Sequence, residues 1–144
     1  MHKNHPLAES IGYALEGLRF AFIEGRNFKI QIGFAILISI LGIVLKINSS
    51  EWLALILIIT LVLILELINT AIETVVDMVS LKFHPLAKIA KDVIAGAVLV
   101  TSAASVVIGF LIFLPIVLSL IISGPSAIEK LKLIFGKNWA FLIW

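Results

Sequence analysis

The fold is decided by residues 52–81, which read WLALILIITLVLILELINTAIETVVDMVSL. Positions 52–65 carry no charge, and the whole stretch would form a helix about 45 Å long at 1.5 Å per residue. The hydrocarbon core of a bilayer is only about 30 Å thick, so the last third of such a helix must emerge into the headgroup region or water. The stretch therefore predicts a membrane-spanning helix with a polar end.

Two further runs without charge, residues 30–45 and 93–128, flank this helix. The chain is 61% hydrophobic and 14% charged. A span needs about 20 apolar residues, because a charge at the bilayer centre costs about 2.5–3.5 kcal/mol. We predict three transmembrane helices, 28–45, 52–81 and 86–114, with Pro115 kinking the third or marking its end. Ser50 is the predicted cap of the second.

The segments outside the spans are amphipathic. Residues 7–25 predict a surface helix, because apolar side chains recur at helical spacing at Ile11, Leu15, Leu18 and Phe22. The tail, 123–144, alternates lysines with apolar residues and predicts an interfacial helix of unknown role. The predicted fold class is thus an all-α membrane protein, with a membrane domain over 1–122 and an amphipathic tail.

Charge and composition restrict the function classes. The net charge of +2 is too small to indicate a nucleic-acid partner, and the absence of cysteine excludes disulfides and thiolate metal sites. Basic residues cluster before the first span and between the second and third, whereas the loop between the first two spans holds only Lys46. The positive-inside rule therefore predicts that the N-terminus and residues 82–92 face the cytoplasm. The basic tail would then lie outside unless it is anchored at the interface.

One face of the second span carries the strongly polar residues Glu66, Asn69, Glu73 and Asp77. Their offsets of three, seven and eleven place all four within about 60° of one another on a helix. They could form a structural seam between helices, but interhelical hydrogen bonds average only ~0.6 kcal/mol, and three carboxylates repel one another without a cation. We favour a site for a hard cation or protons, and a set of oxygen ligands suits Mg²⁺.

A second polar group, Lys88, Lys91 and Asp92, begins the third span. It lies on the same predicted side of the membrane as Glu73 and Asp77, and a lysine beside Mg²⁺-binding carboxylates suits phosphate recognition. Two plainer interpretations stay open: lipid anchoring for Lys88, and a surface salt bridge between Lys91 and Asp92. The glycine-rich phosphate loops of soluble nucleotide-binding proteins are absent from the sequence.

These motifs resemble those of a known family. The string ELINTAIETVVD at 66–77, followed by HPLA at 84–87 and AKD at 90–92, is similar to the small bacterial membrane lipid kinases, the diacylglycerol kinase and undecaprenol kinase family. The similarity extends over 13–113. It implies a homotrimer with a surface helix and three membrane helices per subunit, and active sites at the cytoplasmic face of the bacterial inner membrane.

The resemblance also implies an activity and a set of site residues. The family transfers the γ-phosphoryl group of MgATP to the hydroxyl of a membrane lipid. Carried over to this sequence, Glu66 and Asn69 would be catalytic, Glu66 as general base and Asn69 as an orienting group. Glu73 would hold the metal. The nucleotide would contact Tyr13, Asp77, Lys91 and Asp92.

One position departs from the family pattern. The family usually has a second metal-binding glutamate where this chain has Gly25, and Glu24 lies one residue earlier. A one-residue shift turns a helical side chain by about 100°. Glu24 is therefore expected to replace that ligand only if the end of the helix rearranges.

The residues of these motifs are more similar to those of the undecaprenol-kinase branch. Undecaprenol is therefore the expected lipid, with diacylglycerol as the alternative. A different class also stays open: a non-catalytic membrane assembly or an ion-conducting protein built on the same acidic face. That alternative predicts cation or proton flux and no phosphoryl transfer.

Overall fold

The computed structural model describes residues 7–79 and 84–122 of the chain. Four helices occupy this part: α1 Leu7–Glu24, α2 Arg26–Val44, α3 Ser49–Val79 and α4 Pro85–Ile122. The last three are long and apolar enough to cross a membrane. The predicted all-α fold, with one amphipathic helix before three membrane helices, is confirmed. The predicted helix over 123–144 and the end of the second span at 80–81 lie outside the described residues.

The helix α3 begins one turn earlier than the sequence indicated, and its cap is Asn48 rather than Ser50. The Asn48 side-chain oxygen accepts hydrogen bonds of 3.0 Å from the backbone N–H groups of Ser50 and Glu51. The Glu51 carboxylate in turn accepts the backbone N–H of Asn48 at 2.7 Å. This reciprocal pair is a capping box, which satisfies helix donors that would otherwise lack partners. Ser50 lies inside the helix that it was expected to start.

The helix α4 continues through Pro115 to Ile122 and does not end before the proline. A proline removes one backbone hydrogen bond from a helix interior. Ending the helix inside the bilayer would leave several backbone groups without partners, and each costs more in lipid than in water. Because the apolar run continues on both sides of Pro115, the loss of a single bond is the smaller penalty.

The helices α2 and α3 form an antiparallel hairpin joined by a short turn in which Lys46 adopts a positive φ of 52°. The packing is tight beside the turn: a Cβ added to Gly42 would lie 3.1 Å from the ring of Trp52. Along α3 the buried positions recur every three or four residues, at Leu55, Ile58, Val62, Glu66 and Asn69. This spacing places one stripe of α3 on the interior of the hairpin.

The helix α1 packs against α2 and α3 near its C-terminal end, where Ala21 is buried. Its apolar stripe, including Ile11, Leu15 and Leu18, is exposed in the single chain, as a helix that lies on a membrane surface requires. In the compact unit Met1–Val106, the described part of α4 makes no close backbone approach to the other helices. The described part of the second unit, Val107–Trp144, is the C-terminal end of α4.

Candidate active site

The polar face predicted on the second span is present on α3, and burial divides its four residues. Glu66 and Asn69 are only 3% and 7% exposed. Glu73 is half-buried and Asp77 is exposed. The face therefore runs from an enclosed carboxylate and amide to an exposed carboxylate near the end of α3. A substrate with an apolar body and a water-soluble substrate could approach such a face from opposite ends.

The buried carboxylate has a partner that the sequence did not reveal. The Gln31 side-chain amide of α2 donates a hydrogen bond of 2.9 Å from Nε2 to Oε2 of Glu66. A carboxylate can only accept, so the nitrogen of the amide must face it. The sequence contains one indication of this contact, which is the amide side chain of Gln31 near the start of the uncharged run 30–45. Its partner depends on how α2 and α3 align, which the sequence pattern did not specify.

Two buried oxygens near this bond lack partners. Among the described residues, Gln31 Oε1 and Asn69 Oδ1 have no hydrogen-bond donor. An unsatisfied buried acceptor costs about 1–3 kcal/mol. An amide side chain that served only to stabilise the hairpin would be expected to have hydrogen-bond partners for both its nitrogen and its oxygen. Both oxygens are therefore buried acceptors whose hydrogen-bonding capacity the described part of the chain does not use.

The cationic group at the start of α4 makes two ion pairs. Lys91 Nζ lies 2.6 Å from Asp77 Oδ1 and so connects α4 to the exposed end of the polar face. Asp92 pairs with Lys88, one turn earlier on α4. The surface salt bridge considered between Lys91 and Asp92 is thus replaced by two others. The structure thus brings Lys91 and Asp77 together, and both side chains are partly exposed.

The two predicted metal ligands lie on different helices, Glu73 on α3 and Glu24 at the end of α1. Within residues 7–79 and 84–122, neither carboxylate makes a hydrogen bond or an ion pair with another described residue, and no group of three or more acidic or histidine side chains could hold a metal. Mg²⁺ is commonly held by one or two carboxylates together with substrate phosphates and waters. The available oxygen donors are compatible with a metal that arrives with ATP.

The junction at Gly25 leaves no space for a side chain. Gly25 separates α1 from α2 in an extended conformation, φ −78° and ψ 99°, and its N–H donates to Ala21 O at 2.9 Å. A Cβ at this position would lie 2.5 Å from the same carbonyl oxygen. The junction as it stands admits no side chain. The helix α1 ends at Glu24, and no contact places Glu24 beside Glu73.

The close approach at Gly25 leads to a stability prediction. We expect Gly25→Ala to lower the free energy of unfolding by about 1–3 kcal/mol, because the backbone must shift to admit the methyl group. Gly12→Ala is the matched control, since a Cβ there has open space and alanine favours the helix by about 0.5–1 kcal/mol. Thermal unfolding of both variants in micelles measures the difference. A Gly25→Ala chain as stable as Gly12→Ala would contradict the steric interpretation.

Tyr13 lies on α1, and its hydroxyl donates a hydrogen bond of 2.7 Å to Oε1 of Glu9. This bond to a carboxylate raises the pKa of the Tyr13 phenol. In this structure the single O–H of the phenol is donated to Glu9. Tyr13 is exposed, and its predicted contact with a nucleotide stays a prediction.

The chain is similar in sequence to a family of bacterial kinases. The sequence profile described as Prokaryotic diacylglycerol kinase matches residues 12–113. The undecaprenol kinase of Bacillus subtilis is 47% identical over 90 residues, which are 62% of this chain and 73% of that protein. The diacylglycerol kinase of Synechocystis is 42% identical over 117 residues, or 81% and 67% of the two chains. The diacylglycerol kinase of Escherichia coli is 34% identical over 102 residues, or 70% and 83%.

Proposed function

Because the chain belongs to the prokaryotic diacylglycerol kinase family and is therefore a lipid kinase, we propose that its acceptor is undecaprenol and that Glu66 is the general base. The observation that carries this proposal is the enclosed Glu66 carboxylate, 3% exposed at the polar end of an apolar helix. Such a carboxylate can meet a hydroxyl presented by a membrane lipid. The 47% identity to a protein named undecaprenol kinase supports this lipid over diacylglycerol.

The proposed step is a single in-line phosphoryl transfer. Glu66 accepts the proton of the lipid hydroxyl, the hydroxyl oxygen forms a bond to the γ-phosphorus, and the bond from that phosphorus to the β–γ bridging oxygen breaks. ADP leaves with the electron pair, and the proton later passes from Glu66 to water. Asn69, one turn along the same stripe, orients the reacting groups.

We assign the contacts with the nucleotide to residues at the exposed end of the polar face. Lys91 supplies a positive charge for the phosphates, while Asp77, Asp92 and Tyr13 contact the nucleotide. Glu73, with Glu24 as a second donor, would hold Mg²⁺, which when bound neutralises charge on the phosphates. The half-exposure of Glu73 between the buried base and the exposed Asp77 supports this order along the face.

We further propose an oligomeric state and a membrane location for the protein. The membrane domain is 1–122, the subunits form a homotrimer in the bacterial inner membrane, and the active site faces the cytoplasm. The lack of close packing between α4 and the other described helices in the unit Met1–Val106 supports assembly with further subunits. The basic residues that precede α2 and begin α4 support the cytoplasmic orientation.

The test is a panel of lipid acceptors compared side by side. The purified chain in mixed micelles with [γ-³²P]ATP and Mg²⁺ is given undecaprenol, a shorter polyprenol or diacylglycerol at equal mole fraction. We expect the highest kcat/KM for undecaprenol. A higher value for diacylglycerol would overturn the choice of lipid, and no transfer to any acceptor would overturn the proposed reaction.

A further inference from the structure

We propose that Gln31 is a positioning residue that holds the Glu66 carboxylate in the orientation needed for proton transfer. The inference rests on the proposed role of Glu66 as the base. Its starting point is the 2.9 Å hydrogen bond from Gln31 Nε2 to Glu66 Oε2, which connects α2 to the buried stripe of α3. Gln31 acts through Glu66 and is not itself assigned a contact with a substrate.

A glutamate needs such a restraint because its terminal torsion is soft. Rotation about the last side-chain bond of glutamate has broad minima, so burial alone does not determine where each oxygen points. A hydrogen bond to Oε2 leaves Oε1 as the oxygen available to take the hydroxyl proton. In-line transfer depends on that alignment, and small displacements of a reacting group are costly.

The surroundings of Gln31 favour a positioning role over a purely structural one. Gln31 Oε1 is buried and has no donor among the described residues, so only one end of the amide is used by the hairpin. Ser39, on the same helix, contrasts with it. The Ser39 hydroxyl donates to Ala35 O at 2.7 Å, within α2 itself, and so contributes nothing to the alignment of α3.

The experiment measures kcat and both KM values for Gln31→Met, which keeps the length of the side chain and removes the amide. We expect kcat to fall about ten- to hundredfold, the range for losing one hydrogen bond to a charged group, with the KM for ATP unchanged. Ser39→Ala is the matched control and should keep the wild-type kcat. Equal kcat values for Gln31→Met and the wild type would overturn the inference.

A second comparison separates positioning from a general structural effect. Glu66→Asp shortens the carboxylate by one methylene and takes it out of reach of the amide. Adding Gln31→Met to Glu66→Asp should therefore lower kcat by less than about twofold, because the interaction is already lost. A full multiplication of the two single effects would overturn the inference. If Gln31→Met does not fold, Gln31→Asn retains an amide that is too short to reach Glu66, and the same cycle applies.

The outcomes also distinguish this inference from the function on which it rests. A wild-type chain that transfers no phosphate to any lipid overturns both. An active wild type with an equally active Gln31→Met overturns the inference alone. Melting temperatures in the same micelles are measured for each variant, so that a loss of folded protein is not counted as a loss of kcat.

Discussion

Replacing Glu66 by glutamine is expected to lower the kcat for lipid phosphorylation by about 10²–10⁴-fold, the usual range for loss of a general base. Glutamine has nearly the same shape, and its side-chain oxygen can still accept the hydrogen bond from Gln31 Nε2 that Glu66 Oε2 accepts now. The hairpin should therefore remain folded while the group that takes the hydroxyl proton is lost. Initial rates with saturating ATP and lipid, together with melting temperatures, measure the two effects separately.

The control for this substitution is Glu16→Gln, which removes the same charge from the exposed surface of α1. It should keep the wild-type kcat. A Glu66→Gln chain with more than a tenth of the wild-type kcat would show that Glu66 is not the base. The same variant in liposomes tests the ion-conducting alternative, which predicts flux in the wild type and an altered flux in Glu66→Gln.

Replacing Lys91 by methionine is expected to raise the KM for ATP and to lower kcat/KM for ATP by about ten- to hundredfold. Lys91 Nζ now lies 2.6 Å from Asp77 Oδ1, and the two side chains are 34% and 67% exposed. Its removal takes away a phosphate-binding charge and leaves Asp77 uncompensated beside an anionic nucleotide. Initial rates over a range of ATP concentrations, at saturating lipid, measure the change.

Two comparisons test whether this effect is specific. Lys46→Met removes the same charge at the turn between α2 and α3, at the opposite end of α3 from Asp77, and should change the KM for ATP by less than about threefold. Adding Asp77→Asn to Lys91→Met should restore only the part of the lost kcat/KM for ATP that comes from repulsion between the Asp77 carboxylate and the nucleotide. If Lys46→Met and Lys91→Met raise the KM for ATP equally, the effect belongs to the overall positive charge and not to a nucleotide contact.

The parts of this architecture that follow from local composition could be predicted from the sequence. The three spans are long uncharged runs, and the common face of Glu66, Asn69, Glu73 and Asp77 follows from helical spacing alone. The start of α3 was misplaced by one turn, because Asn48 and Ser50 are both acceptable caps and only the paired bonds with Glu51 distinguish them.

The features that depend on alignment between helices could not be predicted in this way. The contact between Gln31 and Glu66 requires the register of α2 against α3, which is set by the turn and by the close packing of Gly42 on Trp52. The difference in burial between Glu66 and Asp77 also depends on how α2 lies along α3. The steric demand at Gly25 depends on the backbone angles of the junction, which a pattern of residue types does not contain.

The bond between Gln31 and Glu66 has a consequence for biogenesis. Ribosomes make α2 before α3, so the Gln31 amide is synthesised before the Glu66 carboxylate. A charged side chain entering lipid alone costs about 2.5–3.5 kcal/mol at the centre of a span. If the two helices leave the translocon as a closed hairpin, Glu66 enters the bilayer already paired with Gln31. Membrane insertion and the later geometry of the site then depend on the same side chain.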